Sequence, residues 1–170
     1  MIKYQILLDI DQSRLQVFYT SDFFFKKGIC DEKTAYFFGI AITDGFLLER
    51  KYGINSKPPY FGLELRDWDL DILTSISKSL RFKDKLYKSK KNTYKLYLRG
   101  DYITHDMSAL GLVPRKSYIT EYPLIKNKNI HKHFIRGVID GDGSFLILQK
   151  KYLSLKIAGN DKLIYGIYLT

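Results

Sequence analysis

Two aspartates in this 170-residue chain close short apolar segments of similar composition. Asp44 lies near the end of YFFGIAITDG, residues 36 to 45, and Asp142 near the end of HFIRGVIDGDG, residues 133 to 143. Small residues at positions i and i+4 of a helix let two helix backbones approach closely. The segments carry such pairs at Gly39 and Thr43 and at Gly137 and Gly141. We therefore expect two helices to pack side by side and to bring the two carboxylates together.

A pair of carboxylates at one end of a helix pair would suit a hard divalent cation. Mg²⁺ is usually held by one or two carboxylates together with phosphate oxygens. Metal ions placed over a phosphodiester activate water and neutralise developing charge. Asp44 and Asp142 are therefore the candidate catalytic residues and the candidate ligands of two or more shared Mg²⁺ ions. In the alternative interpretation, both are helix-terminal turn residues that hold no metal.

The patterning of the chain predicts the elements that must position these aspartates. Asp31 is a suitable N-cap for the first apolar helix. After Gly45 the pattern predicts a hairpin, a helix capped by Asp67 or Asp69, a second hairpin and a third helix. The order of elements then begins again with a helix at residues 131 to 141, a hairpin and the start of a helix at Asn160.

This order predicts an α+β fold with an internal repeat whose second copy is incomplete. The expected divisions are an amino-terminal extension over residues 1–30, a first repeat over 31–112, a linker over 113–130 and a partial second repeat over 131–170.

The second predicted hairpin concentrates positive charge. Residues 81 to 100 contain eight lysines and arginines against one acidic residue. Strand alternation puts lysines, tyrosines and an arginine on one face and mainly leucines on the other. Basic side chains suit phosphates, and tyrosines suit bases or sugars, although a solvated charged face is the alternative. The residues expected to contact nucleic acid are Arg66, Lys83, Lys85, Tyr87, Lys95, Tyr97 and Arg99.

Composition agrees with a polyanionic partner. The net charge is +10 and the isoelectric point is near 9.5. The longest strongly apolar run, Ala35 to Ile42, is too short to span a membrane, so we expect a soluble protein without a cleaved leader. Cys30 is alone, which excludes a disulfide framework and favours a reducing compartment. His131 and His133 lack partners at metal-ligand spacing, and we expect them at the surface.

The two aspartate segments resemble the LAGLIDADG motif of the homing endonucleases. Residues 135–143, IRGVIDGDG, match it closely. Residues 37–45, FFGIAITDG, keep the glycine and the final Asp-Gly but have Ile42 where the motif has its first aspartate. The resemblance extends over about residues 31 to 165. It implies an αββαββα repeat with a pseudo-two-fold axis, in which two saddle-shaped sheets straddle a DNA major groove.

The same resemblance assigns roles to residues outside the motifs. Lys116 matches a basic residue near the active site of the family, where it would stabilise charge. Asp67 falls where the family often carries a polar pocket residue, and Gly159 occupies the corresponding place in the second copy. The second copy lacks its second hairpin, its last helix and a counterpart to Lys116.

Two functions are therefore expected as alternatives. The first is a Mg²⁺-dependent homing endonuclease that cuts double-stranded DNA at a long specific site and works as a monomer with two quasi-equivalent halves. The second is a catalytically inactive nucleic-acid-binding derivative, such as an RNA splicing maturase or a ribosome-associated protein. A basic sheet that bears aromatic side chains would suit RNA as well as DNA. An A/T-rich host genome, organellar or phage, is expected from the composition.

Overall fold

The computed structural model describes residues 24–48, 58–80, 86–114, 116, 119–149 and 151–170. Most of the expected amino-terminal extension, the turn of the first hairpin, and Lys83 and Lys85 lie outside the described residues. The helices and strands are α1 Glu32–Thr43, β1 Gly45–Leu48, β2 Tyr60–Arg66, α2 Leu70–Ser79, β3 Tyr87–Lys88, β4 Thr93–Arg99, α3 Asp101–Ala109, α4 His131–Asp142, β5 Gly143–Leu148, β6 Tyr152–Ile157 and α5 Asp161–Tyr168. The predicted α+β class and the predicted order of elements are confirmed.

Helix α1 forms because a strong amino-terminal cap precedes an almost wholly apolar run. The Asp31 carboxylate accepts a hydrogen bond from the Thr34 backbone N–H at 2.8 Å, and the Thr34 hydroxyl oxygen accepts one from the Asp31 N–H at 3.0 Å. This reciprocal arrangement satisfies two amides at the helix start. Every residue from Phe37 to Ile42 is buried. The helix therefore lies in the core rather than along the surface.

Helices α1 and α4 cross with their backbones in direct contact. A Cβ atom on Gly39 would lie 2.9 Å from the Gly137 Cα, and a Cβ on Gly137 would lie 3.0 Å from the Gly39 Cα. Atoms of any larger side chain would overlap the opposite backbone at either position. Further along, Gly141 faces the Thr43 side chain. Because Gly39 meets Gly137 and Thr43 meets Gly141, the two helices run parallel.

The first repeat contains a four-stranded antiparallel sheet in the order β1-β2-β4-β3. One face packs into the core through side chains such as Leu47, Phe61 and Leu96, which are buried. Because side chains alternate, the opposite face carries the neighbours of these residues. The register places Phe46 beside Gly62 and Tyr97, and Leu48 beside Tyr60 and Arg99. We call this second surface the open face.

The second repeat contains only a two-stranded hairpin, β5-β6, among the described residues. Phe145 pairs with Leu155 and Ile147 pairs with Leu153, so these four apolar side chains share one face. All four are exposed. The equivalent face of the first repeat is buried, because helices α2 and α3 pack against β2 and β4 there. In the part of the chain that the structure describes, no helix is long and apolar enough to cross a membrane.

Asp69 is the N-cap residue of α2, one of the two predicted positions, but its side chain makes no capping hydrogen bond. Residues Asp67–Asp69 form a single 3₁₀ turn before the helix. One local prediction was wrong. The two histidines are partly buried rather than at the surface. His131 bonds to the Tyr122 hydroxyl at 2.8 Å, and His133 lies 3.2 Å from Glu32.

We predict that Gly39→Ala destabilises the protein because the added methyl group cannot fit between the two helix backbones. The expected loss is roughly 1–3 kcal/mol in the free energy of unfolding, typical of overpacked interiors. Ser75→Ala, at an exposed position of α2, is the matched control and should have little effect. Urea unfolding of both variants measures the difference. Equal stability of Gly39→Ala and wild type would contradict the tight crossing.

Candidate functional site

Asp44 and Asp142 come together at one end of the parallel helix pair. Asp44 is the C-cap of α1, and Asp142 is the last residue of α4. A Cβ atom on Gly141, the residue before Asp142, would lie 2.7 Å from the Asp44 Oδ2. The two carboxylates are therefore neighbours although they belong to different repeats. Asp44 is half-buried, and Asp142 is exposed.

The proximity of these carboxylates changes their protonation. Burial raises the pKa of Asp44, and the negative charge of Asp142 raises it further. Partial desolvation also raises the pKa of Asp142. Two opposing contacts favour the ionised form of Asp44: the Thr43 hydroxyl, which lies 3.2 Å from Oδ2, and the Lys116 ammonium. The pair thus carries excess negative charge that a cation would relieve.

Lys116 lies beside both carboxylates. Its amino group donates hydrogen bonds to the carbonyl oxygens of Ala41 at 3.0 Å and Thr43 at 2.5 Å, at the carboxyl end of α1. A cation is favourable there because helix carbonyls concentrate partial negative charge. Burial nevertheless lowers the pKa of Lys116 to about 8, while the charges of Asp44 and Asp142 act in the opposite direction. The pKa of Lys116 therefore lies well below that of an ordinary lysine.

Thr120 holds the backbone of Lys116 in place. The Thr120 N–H and hydroxyl both donate to the Lys116 carbonyl oxygen, at 2.9 and 2.7 Å. The Thr120 side chain is buried. Sequence reasoning did not single out this residue, because a threonine in a linker gives no signal that it supports a lysine four residues earlier.

The two aspartates fit a Mg²⁺ site that phosphate and water oxygens complete. The described residues contain no group of three or more histidine, cysteine or acidic side chains placed to hold a metal. Mg²⁺ does not require a complete protein cage, since it keeps several waters and accepts substrate phosphates as ligands. The observation that supports cation binding here is the convergence of the two aspartates at the ends of the packed helices.

The position where the first motif departs from the second has a structural explanation. Ile42 is buried in the core. Its counterpart Asp140 is exposed and accepts a hydrogen bond from the Tyr36 hydroxyl at 2.9 Å. The Arg136 guanidinium lies over the Tyr36 ring, 4.4 Å from its centroid. Asp140 therefore belongs to a contact between α1 and α4 rather than to the carboxylate pair.

Asp67 and Gly159 occupy places different from those of the carboxylate pair. Asp67 is exposed in the 3₁₀ turn after β2. A cavity of about 280 Å³ adjoins Asp44, and its other acidic lining residues are Glu64, Asp69 and Asp140, not Asp67. Gly159 precedes the Asn160 cap of α5.

The open face brings together the described residues that were expected to contact nucleic acid. Tyr87, Lys95, Tyr97 and Arg99 lie on it by register, with Arg66 at the end of β2. Two of these basic residues have partners. Lys95 pairs with Glu64 at 2.9 Å, and the Arg66 guanidinium lies 5.7 Å from the centre of the Trp68 ring. The Thr93 hydroxyl also donates to Glu64, at 2.5 Å, so a phosphate that binds Lys95 would have to displace a carboxylate with two partners.

Sequence reasoning missed three aromatic residues near this surface. Phe46 and Tyr60 share the open face, and Trp68 is 74% exposed just beyond β2. Alternation within β1 and β2 could have placed the first two on that face. Trp68 lies in the turn, where alternation has no meaning.

We predict that Asp44→Asn raises stability slightly at neutral pH and weakens stabilisation by Mg²⁺. A raised carboxyl pKa means that the folded state binds the proton more tightly, so this group lowers the free energy of unfolding as pH rises above 3.8. Solvent screening limits the gain to less than about 1 kcal/mol. Thermal unfolding with and without Mg²⁺ tests both effects. Asp161→Asn, at an exposed position of α5, is the control, and equal Mg²⁺ stabilisation in Asp44→Asn would contradict the site.

We predict that Lys116 makes stability rise with pH in the alkaline range. Its pKa is about 8 in the folded protein, against 10.5 for a lysine side chain in water. Between these values the unfolded chain binds more protons, so the free energy of unfolding increases with pH. Lys116→Met should lose this increase, and Lys132→Met corrects for the loss of one positive charge. Urea unfolding at about pH 8 and at pH 10.5 measures the change; parallel profiles for wild type and Lys116→Met would refute it.

Among known proteins, this chain is similar to a group of solved structures. No family model matches the sequence, and a search of curated proteins finds no match. The LAGLIDADG homing endonuclease I-LtrWI bound to target DNA is similar over 74% of this chain and 65% of its own, with 12% identity and a TM-score of 0.48. I-GzeII in complex with its DNA target is similar over 74% and 64%, with 16% identity and a TM-score of 0.47.

Variants of the homing endonuclease I-DmoI are similar over 66% of this chain and 59% of theirs, with 19% identity and a TM-score of 0.47. The chain spans less than two thirds of the length of each of these three structures. In structure, this chain is similar to LAGLIDADG homing endonucleases, the family whose motif its sequence resembles.

Proposed function

We propose that this chain is a LAGLIDADG-type homing endonuclease that hydrolyses DNA phosphodiester bonds at a long specific site. The observation that carries the proposal is the meeting of Asp44 and Asp142, from two repeats, at the end of a tight helix pair. The basic and aromatic open face begins directly after Asp44, because β1 starts at Gly45. The sugar-phosphate backbone of a duplex bound to that face would lie close to the two carboxylates.

Each residue of the site has a distinct part in this proposal. Asp44 and Asp142 would hold Mg²⁺ together with the scissile phosphate. Bound there, Mg²⁺ would supply an activated water and neutralise the charge that develops on the phosphate. Lys116 would add a fixed positive charge next to the carboxylates, since the Ala41 and Thr43 carbonyls hold its amino group in place. Arg66, Lys95 and Arg99 would bind the DNA backbone or base edges.

Electrostatics supports a site that works at neutral to mildly alkaline pH. The carboxyl pKa values are raised, so acidic conditions protonate the groups that must hold the metal. The Lys116 pKa of about 8 means that alkaline conditions remove its charge. Both changes act against catalysis, and the useful range lies between them.

A non-catalytic nucleic-acid-binding role is the second candidate. One observation favours it: the open face, with Tyr87 and Arg99 exposed, offers contacts for phosphates and bases that do not involve the carboxylate pair. A protein of this kind, including an RNA splicing maturase, would act independently of the two aspartates.

We predict Mg²⁺-dependent cutting of duplex DNA that Asp142→Asn abolishes. Random duplexes are first selected by binding in the absence of divalent ions, and the selected pool is then incubated with Mg²⁺. Wild type should produce double-strand breaks at a defined sequence, and the variant should bind the same DNA without cutting it. Asp161→Asn makes the same chemical change at an exposed position of α5 and should still cut. Binding without cutting by wild type would support the second candidate instead.

A further inference from the structure

The hairpin β5-β6 presents an apolar face that the described elements leave exposed. Phe145 is 63% exposed, Ile147 73%, Leu153 71% and Leu155 42%, and the strand register puts all four side chains on one side. Contiguous apolar patches on a protein surface mark places where another surface packs. A two-stranded hairpin is also only marginally stable until its apolar face is covered. Both the surface and the stability of β5-β6 therefore call for a covering partner.

The sequence that precedes the first helix has the pattern of another hairpin. Residues 1–23 lie outside the described residues, so this pattern comes from the sequence alone. Every second residue is apolar in two stretches, which comprise Ile2, Tyr4, Ile6, Leu8 and Ile10 and then Leu15, Val17 and Tyr19. A period of two, with many β-branched and aromatic residues, is typical of strands that have one buried face.

The residues between the two stretches give this hairpin a consistent register. Asp11 to Arg14 form a loop of four residues, among which aspartate and serine favour turns. Ile10 would then pair with Leu15, and Leu8 would pair with Val17. In this register the apolar side chains of both stretches share one face. A loop with an odd number of residues would put the two apolar sets on opposite faces.

The segment joins the described structure beside the helix that leads into β5. Phe24 packs against Phe37 of α1, with ring centroids 5.8 Å apart. It also borders a cavity of about 440 Å³ that Arg136 and Asp140 of α4 line. Helix α4 ends at the residue before Gly143, where β5 begins. An extended chain spans about 3.5 Å per residue, so residues 1–23 can reach β5-β6 even when they fold back on themselves.

Charge and strand length also match. Residues 1–23 contain three aspartates, one lysine and one arginine, whereas residues 143–160 contain three lysines and no acidic residue. Two copies of β5-β6 would repel each other, because like charges disfavour contact, but residues 1–23 carry the opposite net charge. The predicted strands at 5–10 and 15–20 have the six-residue length of β5 and of β6. These observations favour the amino-terminal segment over a second copy of the chain.

We propose that residues 2–20 fold as a hairpin whose apolar side packs on the exposed apolar face of β5-β6. The two hairpins form two layers about 10 Å apart, as stacked sheets do. Residues 2–20 then take the place that α2 and α3 hold in the first repeat, where these helices cover the equivalent face of the sheet. The inference does not rest on nuclease activity, because neither hairpin contributes a residue to the carboxylate pair.

Photo-cross-linking in the full chain tests this contact directly. Phe145→p-benzoylphenylalanine puts a photoreactive ring on the apolar face, and Leu146→p-benzoylphenylalanine puts the same ring on the opposite face. Trypsin cuts after Lys3, Arg14 and Lys26, so the segment is released as peptides 4–14 and 15–26. Mass spectrometry should find these peptides joined to the ring at position 145 within one molecule. The ring at position 146 is the control and should not capture them.

A pair of adjacent leucines tests which face of the segment is buried. Alternation puts Leu8 on the apolar face and Leu7 on the other. Leu8→Ala removes a buried side chain, so hydrogen exchange at residues 15–20 should become about 10- to 100-fold faster. Leu7→Ala makes the same chemical change on the opposite face and should alter exchange little. Thermal unfolding checks that both variants keep the rest of the fold.

Three results would overturn the inference. They are exchange of residues 2–20 at the rate of an unstructured peptide, equal effects of Leu7→Ala and Leu8→Ala, and the absence of cross-links within one molecule from position 145 to residues 4–26. Cross-links between two copies would assign the apolar face to a dimer instead. Asp142→Asn should change neither cross-linking nor exchange. Loss of DNA cutting in that variant therefore concerns the endonuclease proposal alone.

Discussion

The contact between the backbones of α1 and α4 is the constraint on which the structure depends. Gly39 and Gly137 allow the two helices to touch at their Cα atoms. A wider separation would move Asp44 away from Asp142, and it would also separate Phe38 from Phe134, whose rings stack 6.5 Å apart. Close approach thus places the carboxylates and closes the core at the same time.

That close approach has an electrostatic cost at the helix ends. Burial and the nearby Asp142 both disfavour the ionised form of Asp44. Lys116 offsets part of this cost, but it is itself held in a desolvated position that lowers its pKa. Opposing pKa shifts among neighbouring groups are common at functional sites and rare on ordinary surfaces. The arrangement therefore marks a candidate functional site at some cost in stability.

The two halves of the chain use the same hairpin pattern in different surroundings. In the first repeat, β2 pairs with β4 and the helices cover the apolar face. In the second repeat, β6 pairs with β5 among the described strands, and Phe145, Ile147 and Leu153 remain exposed. A two-stranded hairpin has little stability of its own, so β5-β6 depends on its continuity with α4.

The sequence by itself determined the order of elements, the Asp31 cap, the helix pairing through small residues and the alternation that separates leucines from basic and aromatic side chains. These features depend on local periodicity, which the residues carry directly. Tertiary structure alone decided that Glu64 pairs with Lys95 and that Thr120 holds the Lys116 backbone. It also decided that Asp69 rather than Asp67 lines the cavity beside Asp44. The contact of aromatic rings from neighbouring strands is a third such feature. Each of these contacts joins residues whose separation in space is set by strand register or by the path of a turn. Register and turns leave no periodic signal in the sequence, so the contacts could not be predicted from it.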